Sequence, residues 1–225
     1  MKCRCTMVDL RLYALVDPER ANGFALDDLA ARVAAGGATL VQLRDKKGET
    51  RRLVEEARAI KNALRASGVP LLINDRVDVA LAAEADGVHL GQDDMAVEDA
   101  RRLLGGLAII GLSVKSAAQA VASPLGLLEY IAIGGVFATA SKDNTDPPLG
   151  TGGLRTIVAA VRARAPNLPI AAIAGIDRTN AGDVIAAGGD GVAVISALSM
   201  TPDPTAAARE LRAIVDQALA RRAAK

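Results

Sequence analysis

Tryptophan is absent from this chain, and its 225 residues include only two phenylalanines, two tyrosines and one histidine. So few rings leave no platform on which successive nucleobases could stack. The single histidine, His89, falls inside an apolar run and is expected to be packed, which excludes a histidine-based nucleophilic triad. Charge of one sign is also missing: 27 Lys and Arg stand against 26 Asp and Glu, a net of +1. That balance argues against a general nucleic-acid binder while leaving room for a local anion site. The two cysteines, Cys3 and Cys5, form one C-x-C with no second pair, a poor metal site, and are expected to be inert. The start of the chain lacks the long apolar run of a signal peptide, and no stretch approaches a membrane span. The expectation is a cytoplasmic protein whose partners are small molecules, with residues 1–8 as a flexible N-terminus.

What is present is alternation. Short apolar runs, often β-branched, fall at 10–17, 39–45, 70–75, 87–91, 108–114, 130–138, 169–175 and 191–198. Between them lie Ala-, Leu-, Arg- and Glu-rich amphipathic segments such as "LDDLAARVAAGG" and "ETRRLVEEARAIKNALRASG". Gly36-Gly37, Gly68 and Gly188-Gly189 stand where these helices should stop, because glycine takes the left-handed cap cheaply. Eight strand–helix units without a linker predict one (β/α)8 barrel domain over residues 1–225. The rival, an open doubly wound sheet, lacks its glycine-rich dinucleotide turn after the first strand, where the chain reads "LVDPERANG".

In such a barrel the chemistry collects at the carboxyl ends of the strands. After the second strand, "VQLRDKK" places Gln42, Arg44 and Lys46 on one face and Val41, Leu43 and Asp45 on the other. An amide, a guanidinium fork and an ammonium on one side suit a phosphate or diphosphate; a solvated strand end is the alternative. The third and fourth strands run into Asn74-Asp75 and Gln92-Asp93-Asp94. Asp75 and Asp94 could cap the following helices, or could hold a hard cation such as Mg²⁺, which takes one or two carboxylates together with substrate oxygens. The fifth strand ends with Ser113, and the sixth opens a long polar segment bearing Thr139, Ser141 and Lys142, of a length typical of binding loops. Gly175 after the seventh strand, and Ile195 and Ser196 after the eighth, lie where this architecture recurrently binds phosphomonoesters.

The segments "QLRDK", "NDRVDVALAAEADGVHLGQDD", "GLSV", "GGVFATASK", "AGI" and "GVAVISAL", in this order from Leu10 to Leu198, resemble the thiamine phosphate synthase family. The resemblance implies a Mg²⁺-dependent transferase on a (β/α)8 barrel. It would join the diphosphate ester of 4-amino-5-hydroxymethyl-2-methylpyrimidine to 4-methyl-5-(2-phosphoethyl)thiazole, or its 2-carboxy form, giving thiamine phosphate and diphosphate. It implies that Gln42, Arg44, Lys46 and Asn74 hold the pyrimidine diphosphate, with Ser113 and Lys142 also facing that substrate. Asp75 and Asp94 would hold Mg²⁺, and Thr139, Ser141, Gly175, Ile195 and Ser196 the thiazole phosphate. Arg44, Lys46, Ser113 and Lys142 would carry the catalysis. Gly135, Ala138 and Ser141 depart from the usual Pro, Pro and Thr; Ser141 keeps the hydroxyl, while Gly135 loosens the turn.

Two other functions share this architecture. A thiazole tautomerase needs only the phosphate site of the last two strands, and so has no use for the cationic and acidic residues of strands two to four. A non-enzymatic barrel that senses thiazole phosphate is the other. Ala-rich segments such as "PTAAARELRAIVDQALARRAA" could also pack against a second copy, making a homo-oligomer possible.

Overall fold

The computed structural model describes residues 7–139 and 147–224. Cys3, Cys5, Ser141 and Lys142 lie outside the described residues. Eight parallel strands close on themselves: β1 (Leu12–Val16), β2 (Leu40–Leu43), β3 (Leu71–Asn74), β4 (Gly87–Leu90), β5 (Ile109–Val114), β6 (Tyr130–Ile133), β7 (Ile170–Ile173) and β8 (Gly191–Val194), with β8 pairing back onto β1. Between them run α1 (Leu26–Ala35), α2 (Thr50–Leu64), α3 (Val77–Ala82), α4 (Val97–Leu104), α5 (Ala117–Ala122), α6 (Gly150–Arg164) and α7 (Ala181–Ala186). A one-turn α8 (Ser196–Ser199) and a long α9 (Pro204–Ala223) complete the ring. The (β/α)8 barrel expected from the alternation is therefore observed, and the open sheet is excluded.

Two runs behave differently from the alternation pattern. The run 130–138 is strand only to Ile133, although the amides of Val136 and Phe137 still donate to the Ile173 and Ala174 carbonyls. The run 191–198 stops at Val194 and its tail "SAL" enters α8. A short apolar run does not by itself separate strand from buried helix. The caps follow the glycines: Gly37, Gly68 and Gly188 all take positive φ.

Side-chain parity divides the core in two. Residues such as Leu12, Val41, Leu43 and Ile73 face the helices, in the larger cluster. Leu10, Tyr13, Leu15, Leu40, Leu72, Tyr130, Ala171 and Ala193 fill the barrel's interior. The same inward parity carries on to Asp17, Gln42, Arg44, Asn74, Ser113, Gly175 and Ile195 toward the carboxyl rim.

The opposite rim is latched by a repeated device. A side chain just before each even strand accepts an amide from the first or second residue of the odd strand beside it: Thr39 from Leu12 at 3.1 Å, Asp86 from Leu71 at 2.8 Å, Glu129 from Ile110 at 2.8 Å and Asp190 from Ile170 at 3.0 Å. Two of these acids also bind arginine, Glu129 to Arg101 and Asp190 to both Arg162 and Arg222. Stability is thus concentrated at one rim, leaving the other for chemistry.

Candidate active site

At the carboxyl rim β2 separates its side chains as the alternation requires. Asp45 turns away, accepting the amides of Lys47 at 2.9 Å and Gly48 at 2.8 Å and pairing with Arg52 of α2. Arg44 and Lys46 turn inward to different partners. The Arg44 guanidinium bonds the carboxylate of Asp17, which is 2% exposed at the end of β1. Lys46 Nζ lies 3.2 Å from Asp75 Oδ2. The strand-two cations and the strand-three acid therefore share one sector of the rim.

Asp75 sits at φ +63 immediately after β3, with its amide donating to the His89 carbonyl at 2.9 Å. Asp tolerates this left-handed conformation better than most residues. The Asp94 carboxyl is its acidic neighbour, and burial together with this neighbour pushes the Asp75 carboxyl above the usual carboxylate range despite Lys46. Asp94 Oδ2 also accepts the Gly91 amide at 2.6 Å. Neither aspartate caps a helix: the residues at those positions are Arg76 and Ala96. The capping alternative is thereby excluded. Two carboxyls held together at the cost of mutual repulsion, with one ammonium beside them, form a donor set that fits a hard divalent ion. Among the described residues no group of three or more His, Cys, Asp or Glu is arranged around a metal, so such an ion would need oxygens from its ligand.

Asn74 precedes Asp75, is partly buried and faces inward by parity. Ser113 Oγ lies 2.8 Å from His89 Nε2, and the Ser113 carbonyl accepts Gln92 Nε2 at 2.7 Å. Gln42 is 1% exposed and donates through Nε2 to the Tyr13 hydroxyl.

Across the mouth, β7 and β8 end in a cavity of about 400 Å³ whose lining includes Thr139, Gly175, Ile195 and Ser196, as expected, and also Ala174, Asp177 and Ala197. Ala174 (φ +86) and Gly175 (φ +64) turn the chain in succession. At Gly175 a Cβ would lie 2.4 Å from the Ala138 carbonyl oxygen, so the close approach of the strand-six segment requires glycine. Asn180 braces the turn, donating to the Gly175 carbonyl at 2.8 Å while its Oδ1 accepts the Asp177 amide at 3.0 Å. The Thr179 hydroxyl and amide hold the Asp177 carboxyl below the usual range. Gly135 needs no positive φ; its carbonyl accepts the Leu149 amide at 3.0 Å, closing the base of the loop.

Three site features escaped the sequence reading: Asp17 as the partner of Arg44, the hydroxyls of Tyr13 and Tyr130 beside Gln42 and His89, and Asp177 in the cavity. Inward parity could have flagged Asp17, two residues beyond Leu15. The tyrosine contacts had no sequence signal, since they depend on residues of the non-adjacent strands β1, β4 and β6 meeting inside the barrel.

Comparison with known proteins identifies the family. A family model described as thiamine monophosphate synthase matches residues 12–198. A thiamine-phosphate synthase of Agrobacterium fabrum is 51% identical over 212 residues, covering 94% of this chain and 96% of that protein. One from Xanthobacter autotrophicus is 48% identical over 207 residues, 92% and 96% of the two chains. Among solved structures, a thiamine phosphate pyrophosphorylase from Pyrococcus furiosus superposes with a TM-score of 0.82 at 35% identity, covering 94% of this chain and 98% of its own. With the match spanning every barrel strand, the chain belongs to the thiamine monophosphate synthase family.

Proposed function

We propose that this protein is a transferase that couples the aminopyrimidine diphosphate to the thiazole phosphate, releasing thiamine phosphate and diphosphate. Family membership supports the reaction, and one contact supports its placement: Lys46 lies beside Asp75, whose acidic neighbour is Asp94, so cation and acids share a single sector of the rim. Arg44, Lys46 and Asn74 bind the diphosphate, Gln42 and Ser113 the pyrimidine, and Asp75 and Asp94 a Mg²⁺ ion. By the family resemblance Lys142 would also face the pyrimidine substrate, and Ser141 would belong with the thiazole-phosphate residues. Thr139, Gly175, Ile195 and Ser196 hold the thiazole phosphate in the cavity after β7 and β8. Neither alternative function accounts for the acidic pair and Lys46.

The chemistry requires no general base on the protein. The pyrimidine methylene C–O bond breaks with both electrons leaving on diphosphate, and the electron-rich ring stabilises the cation. The thiazole nitrogen then donates its lone pair to that carbon; a carboxylated thiazole also loses carbon dioxide. When bound, Mg²⁺ would neutralise part of the leaving group's charge. Arg44 and Lys46 hold the diphosphate where negative charge grows, and a unit charge about 4 Å away contributes roughly 4 kcal/mol at an effective dielectric near 20. The two subsites place nucleophile and electrophile on facing sectors of one mouth.

The decisive assay mixes both purified substrates with the protein and Mg²⁺ and follows thiamine phosphate by chromatography. Product formation that stops on chelation is expected. Absence of product, with a changed thiazole absorbance, would assign the tautomerase instead.

A further inference from the structure

A chain of hydrogen bonds crosses the barrel interior below the mouth. Gln42 Nε2 donates to the Tyr13 hydroxyl; that hydroxyl lies 2.8 Å from the Tyr130 hydroxyl, which lies 2.7 Å from His89 Nδ1; His89 Nε2 lies 2.8 Å from Ser113 Oγ. Both phenols are essentially inaccessible, at 1% and 0% exposure. Space for the second ring is made by Gly111, where a Cβ would lie 2.0 Å from the Tyr130 ring. Burial pushes both phenols well above their ordinary range, so each keeps its single hydrogen.

With the Gln42 amide turned so that Nε2 donates to Tyr13, one hydrogen per hydroxyl gives the whole chain a single direction. Tyr13 accepts from Gln42 and so donates to Tyr130. Tyr130 accepts from Tyr13 and so donates to His89 Nδ1. Neutral His89 then carries its hydrogen on Nε2 and donates it to Ser113 Oγ, which leaves the Ser113 hydroxyl to donate onward. At the other end Gln42 Oε1 is buried with no hydrogen-bond partner. An acceptor in that condition costs about 1–3 kcal/mol until a donor reaches it. The chain therefore ends in an unsatisfied acceptor on β2 and a directed donor on β5.

We propose that Tyr13, Tyr130 and His89 are positioning residues that lock the polarity of Gln42 and Ser113, so that the site selects an aminopyrimidine over its oxo analogue. An exocyclic amine donates to Gln42 Oε1, and a ring nitrogen accepts from Ser113. An oxo-pyrimidine presents acceptor and N–H in the reversed order, and would force all five groups to reverse together. This specificity rests on the reaction proposed above, since it names what distinguishes that reaction's substrate.

The test compares calorimetric binding of the 4-amino and 4-oxo pyrimidine diphosphates, without thiazole, in wild type, Tyr13→Phe and Tyr130→Phe, with inorganic diphosphate as control. The wild type is expected to prefer the amine at least a hundredfold. Each variant should lose at least tenfold of that ratio, because Gln42 and Ser113 then turn independently, while inorganic diphosphate binds within twofold of wild type. Equal weakening of both pyrimidines would mean a merely structural role and overturn the inference. A wild type that binds neither pyrimidine overturns the proposed reaction and this inference with it; a preference kept in both variants overturns the inference alone. Should the variants fail to fold, the sole histidine decides in the wild-type complex. Its ¹⁵N shifts should report the Nε2–H tautomer, and the Nδ1–H tautomer would overturn the chain's direction.

Discussion

The carboxylate of Asp17, buried at the end of β1, grips the guanidinium of Arg44, just beyond the end of β2. The pair ties the first strand to the proposed leaving-group site. An arginine held on one side by a buried acid keeps its planar fork in one pose.

Replacing Asp17 with Asn should separate positioning from charge. The site becomes more positive, so the KM for the pyrimidine diphosphate should not rise. The freed guanidinium no longer meets the developing charge in one pose, so kcat should fall about tenfold, or about 1.4 kcal/mol in the barrier. Steady-state kinetics check this; a raised KM with unchanged kcat would show that Asp17 supports binding alone.

Asp75 gives a prediction whose sign depends on the metal. Burial first, and Asp94 second, hold its carboxyl above the usual range. A folded pKa above the unfolded one means the fold binds more protons, so ionisation at neutral pH works against folding. Asp75→Asn removes that penalty while tolerating the positive φ. The variant should therefore melt slightly higher than wild type in chelator, and lower once Mg²⁺ and diphosphate are saturating. Its turnover should drop at least a hundredfold. Differential scanning fluorimetry in the two conditions tests the crossing, and parallel shifts would remove Asp75 from the proposed ion site.

Much of this site was legible because a barrel's strand ends are few and side-chain parity is strict. Gln42, Arg44 and Lys46 could be placed on the inner face from the two-residue period alone, and His89 inside its strand could be read as packed. What alternation could not reveal were relations between strands. The Asp17–Arg44 pair needs the β1–β2 register, and the tyrosine chain needs residues on β1, β4 and β6 to meet. The ambiguity at Asp75 was local: a carboxylate before a helix looks like a cap until Arg76 is found at the cap position. The tail of the last run was misread because "SAL" carries no period long enough to identify a helical turn.

The opposite rim should respond in stability and not in chemistry. Asp190 joins the Ile170 amide to Arg162 and Arg222. Asp190→Ala removes the acceptor of the Ile170 amide and the carboxylate partner of Arg162 and Arg222, which keep backbone carbonyl acceptors, and should cost about 2–3 kcal/mol. Urea denaturation should show a lowered midpoint, with KM for both substrates within twofold of wild type at a temperature where the variant is folded. Altered KM values would mean that the latch at the amino ends of β7 and β8 governs the geometry of the mouth.

Gly175 tests the proposed division of the mouth into two subsites. Its φ of +64 disfavours any side chain, and an added methyl would lie 2.4 Å from the Ala138 oxygen and 2.7 Å from Phe137 Cβ. The methyl must push the strand-six segment away from the β7 turn, widening the cavity that Thr139 and Ser196 line. Gly175→Ala should therefore raise the KM for the thiazole phosphate about tenfold or more, leaving calorimetric affinity for the pyrimidine diphosphate within twofold. Acids and cations after β2, β3 and β4 do not depend on that turn for their contacts. If both affinities fell together, the two anion sites would have to share a wall, and the assignment of one substrate to each side of the barrel would fail.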